Sequence, residues 1–119
     1  MDKDIFKTID NIIRSERLYA KSSLMREDIT KRFGIGRHHL NDQLNAFADG
    51  MTFPQYINAI RMEVAYDLLT NRQEMSIAEI AREVGFTPPN LREQFKRCYG
   101  ITPAEYRAGL ITAGDGDDE

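Results

Sequence analysis

Two copies of one short pattern, about 51 residues apart, constrain this chain more than any other feature. In the later copy Ile80 and Ala81 precede Gly85 and Phe86, and Leu91 and Phe95 follow four residues apart. In the earlier copy Ile29 precedes Gly34 and Ile35, and Leu40 and Leu44 follow at the same spacing. Apolar residues three and four apart share a helix face, and glycine permits the backbone that ends one helix and turns into the next. Each copy therefore reads as two short helices around a tight turn. A helical bundle without internal duplication has no reason to repeat that layout.

Start signals agree with this reading. Ser76 and Glu79 have the spacing of a capping box, as do Thr52 and Gln55 around Pro54, and Thr102 and Glu105 around Pro103. Residues 4–19 carry Ile5, Phe6, Ile9, Ile12, Ile13 and Leu18 among charged residues, an amphipathic helix expected to cover the first half of the core. The first helix pair spans about 24–47, a linker helix about 53–70 and the second pair about 76–99. A short last helix follows Thr102, with Tyr106 facing inward. The fold class expected is all-α: seven helices forming two helix-turn-helix units joined by a long linker helix. Residues 113–119, glycine-rich and acidic, are expected to be disordered.

Composition bounds the function. At 119 residues the chain makes one domain, or two very small ones sharing a helix. No apolar run is as long as a membrane span, the first residues lack a signal peptide's apolar stretch, and a cytoplasmic protein without membrane contact is expected. The single cysteine, Cys98, excludes an internal disulfide and is expected to be a packed thiol. No residues stand at metal-ligand spacing and no glycine loop cradles a phosphate, so neither an enzyme, a metal site nor a cofactor is expected. The net charge of -3 misleads, because four of the 19 acidic residues lie in the last five positions. That leaves 15 against 16 Lys plus Arg in the body, and the distribution of charge sets an electrostatic footprint.

The second helix of a helix-turn-helix unit enters the DNA major groove. Successive major-groove segments on one side of B-DNA lie roughly 34 Å apart. A linker helix from Phe53 to Thr70 spans roughly 27 Å at ~1.5 Å per residue, and the helix bodies add the remainder. The geometry permits one chain to touch two grooves.

The chain resembles the DNA-binding domain of the AraC/XylS family of bacterial transcription regulators, from about Ile5 to Arg107. The resemblance is carried by Tyr56-Ile57, Arg61, Ala65 and Leu68-Leu69 on the linker helix. It continues in Ile77-Ala78-Glu79-Ile80-Ala81 with Gly85-Phe86, and in Phe95-Lys96, Gly100, Thr102-Pro103 and Tyr106-Arg107. It implies that residues 1–112 form a domain binding double-stranded promoter DNA and helping to recruit RNA polymerase. Most members carry that domain behind a sensing or dimerisation domain. Nothing of that kind is found in this sequence, which looks like an excised output domain or a small stand-alone member.

By position, base contacts are expected from His38, Asn41 and Asp42 in the first unit, and from Asn90 and Glu93 in the second. Asn41 can pair with an adenine edge, His38 can donate to a purine or phosphate, and Asp42 can accept from a cytosine amino group. Backbone contacts are expected from Lys31, Arg32, Arg37, Arg61, Arg92, Lys96 and Arg97, with Arg61 alternatively supporting the fold or sharing a local ion pair. Thr87-Pro88-Pro89-Asn90 departs from the family pattern, and its prolines supply no backbone N–H to a phosphate. Glu93 stands where arginine is frequent. The first unit is therefore expected to read bases and the second mainly to grip the backbone. The rival reading is a protein-interaction module that keeps the scaffold, with Asp42 and Glu93 weakening DNA contact. Met25 stands where a capping serine or threonine is commoner, and Arg107 looks structural.

Overall fold

The structure, a computed structural model, describes the backbone of residues 2–117 and the side chains of residues 2–110. Among the described residues seven α-helices follow in order: α1 (Lys3–Ser15), α2 (Arg26–Phe33), α3 (Arg37–Phe47), α4 (Phe53–Asn71), α5 (Ile77–Val84), α6 (Pro88–Tyr99) and α7 (Pro103–Asp117). Among the described residues there is no strand, and the all-α expectation holds. The chain divides into two units, Met1–Ile60 and Arg61–Glu119, with α4 contributing residues to each.

In the first unit α1 starts at Asp2, whose carboxylate accepts the Asp4 N–H at 2.9 Å. It buries Ile9 and Ile13, as the periodicity requires. The helix stops at Ser15 rather than running on through residue 19. One turn beyond Ile13 stands Arg17, a charge that cannot follow Ile9 and Ile13 inward, and its backbone flips to φ 55. A single 3₁₀ turn, Leu18–Ala20, then buries Tyr19. The rest of this core comprises Ile29 of α2, Leu40 and Leu44 of α3, and Phe53, Tyr56, Ile57 and Ile60 of α4. Gln43 is also buried, at 1% exposure, and neither of its amide atoms has a hydrogen-bond partner among the described residues.

The start of α2 is weakly capped. Asp28 accepts the Met25 N–H at 2.8 Å, but the Met25 side chain makes no cap bond in return. The three capping boxes read from the sequence are fully formed, each with both hydrogen bonds between 3.0 and 3.3 Å. Their carboxylates feel this: hydrogen bonds from Ser76 and Thr102 hold the Glu79 and Glu105 carboxyls below the usual range.

In the second unit Ala65 and Leu69 of α4, Ile80, Ala81 and Val84 of α5, Phe86, and Leu91 and Phe95 of α6 are buried. Phe95, Tyr66, Tyr99 and Tyr106 form an aromatic cluster with ring centroids 4.6 to 6.4 Å apart. The Tyr106 hydroxyl lies 2.7 Å from the Thr70 hydroxyl, which fits its inward expectation. Arg107 donates to three backbone carbonyls, Leu69 at 3.3 Å, Arg72 at 2.9 Å and Met75 at 2.5 Å. The end of α4 and the link after it thus close on one guanidinium.

Two further expectations change. Cys98 is exposed, because the last turn of α6 outruns the core and residues 96–100 all face solvent. The last helix is 15 residues long rather than short, and it continues to Asp117, through 113–117 of the stretch expected to be disordered. Its capping box sets the nucleus, and each further residue adds one hydrogen bond. Residues 118 and 119 lie outside the described residues.

Candidate nucleic-acid interface

The two glycine turns have the same local geometry. Gly34 has φ 63 and Gly85 φ 91, a left-handed conformation that only glycine adopts without steric cost. The next residue then bonds back five positions, Ile35 N–H to Thr30 O at 3.1 Å and Phe86 N–H to Ala81 O at 2.9 Å. Each turn delivers the chain into a new helix whose inner face is fixed by two buried apolar residues, Leu40 and Leu44 in α3, Leu91 and Phe95 in α6. What lies opposite those anchors is thereby presented outward.

On α3 that outer stripe is His38, Asn41, Asp42 and Asn45, at the i, i+3, i+4, i+7 spacing of one helix face. His38, Asp42 and Asn45 are exposed and Asn41 is half-buried. Arg37 opens the same helix, and Lys31 lies in the last turn of α2. Neither cation has an ion pair among the described residues, and both are exposed. Arg32 differs: it forms a two-pronged bridge to Glu16, with distances of 2.7 and 2.5 Å. That bridge lowers the Glu16 pKa and raises that of Arg32.

On α6 two stripes lie side by side. Asn90, Glu93 and Arg97 form one, and Pro89, Arg92 and Lys96 the other, all exposed. Thr87 caps the helix by accepting the Asn90 N–H at 3.3 Å, and Pro88 and Pro89 occupy its first turn. Glu93 accepts from Arg97 at 3.3 Å, an i,i+4 pair in which both side chains are about two-thirds exposed. Arg92 and Lys96 have no ion pair among the described residues.

Arg61 leaves the exposed set. It is 9% exposed, its guanidinium stands 5.8 Å from the centre of the Phe86 ring, and burial draws its pKa down. A guanidinium buried beside a ring contributes to packing, which sets Arg61 apart from the exposed cations expected at the backbone. Sequence reasoning also missed Glu16. Its partner lies 16 positions away, and no local spacing signals it. No cluster of His, Cys, Asp or Glu fit to hold a metal occurs among the described residues, and none of their helices is long and apolar enough to cross a membrane.

These helix pairs, with their glycine turns and outward polar stripes, define a class, and the comparisons name it. A family model described as a helix-turn-helix domain matches residues 29–109, and the chain belongs to that family. The domains it matches are non-catalytic helix-turn-helix domains of transcriptional regulators. Among solved structures, the chain is similar to the C-terminal domain of the two-component response regulator yesN from Fusobacterium nucleatum subsp. nucleatum ATCC 25586. The two are 31% identical, with 87% of this chain and 98% of that chain covered and a TM-score of 0.73. It is 38% identical over 60 residues to the uncharacterized transcriptional regulatory protein YesN of Bacillus subtilis (strain 168), covering 49% of this chain and 16% of that protein. It is 35% identical over 86 residues to the uncharacterized HTH-type transcriptional regulator YpdC of Escherichia coli (strain K12), covering 71% of this chain and 30% of that protein. The chain thus spans less than a third of the length of these curated relatives.

The matches correct the narrower family read from the motifs. They are to a helix-turn-helix domain and to response-regulator output, and not to the AraC/XylS family specifically. The physical reason lies in which residues carried the resemblance. Ala65, Leu69, Ile80, Ala81, Phe86 and Phe95 are core, and Glu79, Thr102 and Pro103 stand at helix starts. Such residues specify a scaffold, and a scaffold is shared more widely than one family.

Proposed function

We propose that the chain binds double-stranded DNA sequence-specifically to regulate transcription, with residues 1–112 as the DNA-binding domain and both helix pairs, 24–47 and 76–99, as helix-turn-helix units joined by α4. The observation that carries this reading is the outward stripe His38, Asn41, Asp42 on α3, held in place by two buried leucines behind it. Asn41 offers a donor and an acceptor to an adenine edge, His38 donates to a purine, and Asp42 accepts from a cytosine amino group. Lys31 and Arg37 flank that stripe with charges free to meet phosphates.

The α6 helix contributes mainly grip. Its first turn has no N–H to give at Pro88 and Pro89, and Glu93 is occupied with Arg97, so Asn90 and Glu93 read bases less than α3 does. Arg92 and Lys96, with Arg97 once released from Glu93, meet the backbone. Arg32 contributes only when it exchanges Glu16 for a phosphate. The likeness to a response-regulator C-terminal domain and to far longer regulators supports an output role in the cytoplasm, coupled to a sensing or dimerisation domain and acting on RNA polymerase.

Selection of bound duplexes from a random pool at low salt tests this, with the winners retitrated at several salt concentrations. One enriched block with a flanking spacer preference is the expected result. Failure to enrich any sequence, with no salt-sensitive binding, refutes it.

A further inference from the structure

A surface groove of about 710 Å³ lies within the second unit, between the start of α5, the first three turns of α6 and the start of α7. Ile77, Pro88, Pro89, Pro103 and Ala104 supply an apolar lining, and three of the chain's four prolines are among them. Arg92 and Lys96 line one side, four residues apart on α6. Two cations beside an apolar floor are the complement of a particular ligand chemistry, one with carboxylates along one edge and apolar side chains beneath.

A nucleic-acid phosphate fits less well. The usual seat for a phosphate is a helix N-terminus with free N–H groups. At α6 that seat is filled by Pro88 and Pro89, which have none. At α7 the Thr102 N–H already donates to Glu105 at 3.0 Å, and the capping carboxylate brings a negative charge to the spot. Arg92 and Lys96 are close enough to Glu105 to help hold its carboxyl ionised. With Glu93 and its partner Arg97 included, three cations face two carboxylates and leave the groove a net positive edge. Glu93 also lines it, but is spent on Arg97. A phosphate backbone offers nothing to the proline floor, whereas leucine or phenylalanine side chains bury against it.

We propose that this groove docks an acidic, apolar segment of a partner protein, with its carboxylates on Arg92 and Lys96 and its apolar side chains on Pro88, Pro89 and Ala104. The chain's own acidic end is a poor occupant. Its helix runs away from Pro103 for about 21 Å before reaching Asp117, at ~1.5 Å per residue. Docking has a regulatory consequence that rests on the DNA-binding reading above. The partner and the DNA backbone then compete for the same two cations, and occupancy of the groove weakens the grip of α6.

The test uses the purified chain and a fluorescein-labelled synthetic 12-residue peptide of Asp, Glu, Leu and Phe, read by anisotropy. One control peptide replaces its acids with Asn and Gln, and a second replaces its apolar residues with Ser. The intact peptide is expected to bind, and each control to bind at least roughly tenfold more weakly, as loss of a central anchor does at interfaces. Ala104 is exposed on the first turn of α7, so Ala104→Trp fills the groove without touching the core. With far-UV circular dichroism unchanged, that variant is expected to lose the peptide about tenfold. Equal binding by either control, equal binding by Ala104→Trp, or no binding overturns the proposal. So does a DNA duplex that shifts the amide resonances of Ile77 and Ala104 when the peptide does not. A chain that takes the peptide and no duplex keeps the groove and refutes the DNA reading instead.

Discussion

Arg107 offers the sharpest test of how the second unit is held. Its guanidinium reaches the carbonyl of Leu69 in the last turn of α4 and those of Arg72 and Met75 in the link that follows. The side chain is half-buried, so water replaces it poorly. Each hydrogen bond is worth about 1 kcal/mol net, and bonds from a charged donor run higher. The 3.3 Å contact to Leu69 is the weakest of the three, and α4's C-terminus favours a cation. Arg107→Met keeps the stem and removes all three bonds, for an expected loss of about 2–3 kcal/mol. Arg107→Lys keeps the charge but loses the planar fork, and is expected to recover less than half of that loss. Urea denaturation followed by far-UV circular dichroism measures both. A loss below about 0.5 kcal/mol in the methionine variant refutes the clamp, since an unstrained surface substitution costs that little. Full recovery by lysine shows that charge alone matters and that the fork geometry does not.

Three further outcomes are expected. Met25→Thr completes the capping box that Asp28 already half supplies, and stabilises the chain by about 1 kcal/mol in the same denaturation assay. Glu79 and Glu105 have folded-state pKa values below their unfolded ones, so the unfolded chain binds more protons as pH falls. The stability they supply is therefore present above the usual carboxylate range and is lost as pH drops through the lowered folded values. The double change Glu79→Gln and Glu105→Gln keeps the caps but flattens an acid titration of stability in that window. Glu93→Arg removes the partner of Arg97 and adds a cation, so it strengthens binding to duplexes of many sequences. The slope of log affinity against log salt steepens by roughly one to two, and no gain places Glu93 away from the backbone.

What the sequence made legible is what local chemistry decides. Glycines at Gly34 and Gly85, caps at Ser76, Thr52 and Thr102, and the paired anchors of α3 and α6 act within four or five residues, and their spacing announces them. The bounds of α3 and of the linker helix follow from the same signals. Arg61 was legible only as an open choice, because a cation on a helix looks the same whether it meets water or the Phe86 ring 25 positions on. The Glu16 and Arg32 bridge was invisible for the same reason. Cys98 misled because it keeps phase with Leu91 and Phe95, and phase cannot tell where a core ends. The family was over-read because the most specific-looking motifs are those that build the scaffold. The stripe His38, Asn41, Asp42 was placed by its anchors, but side-chain types on an exposed face name chemistry and not a sequence of bases.

Pro88 and Pro89 have one more effect, which concerns the free chain rather than its contacts. Proline holds φ near −65°, so the first turn of α6 has few backbone states to give up. Ordering a residue costs about 1–2 kcal/mol of conformational entropy, and here much of that cost is met when the chain folds. A partner arriving at this end of α6 meets a surface already set, and its association should carry little entropy penalty there. At this helix start the two proline rings restrict the backbone before anything binds.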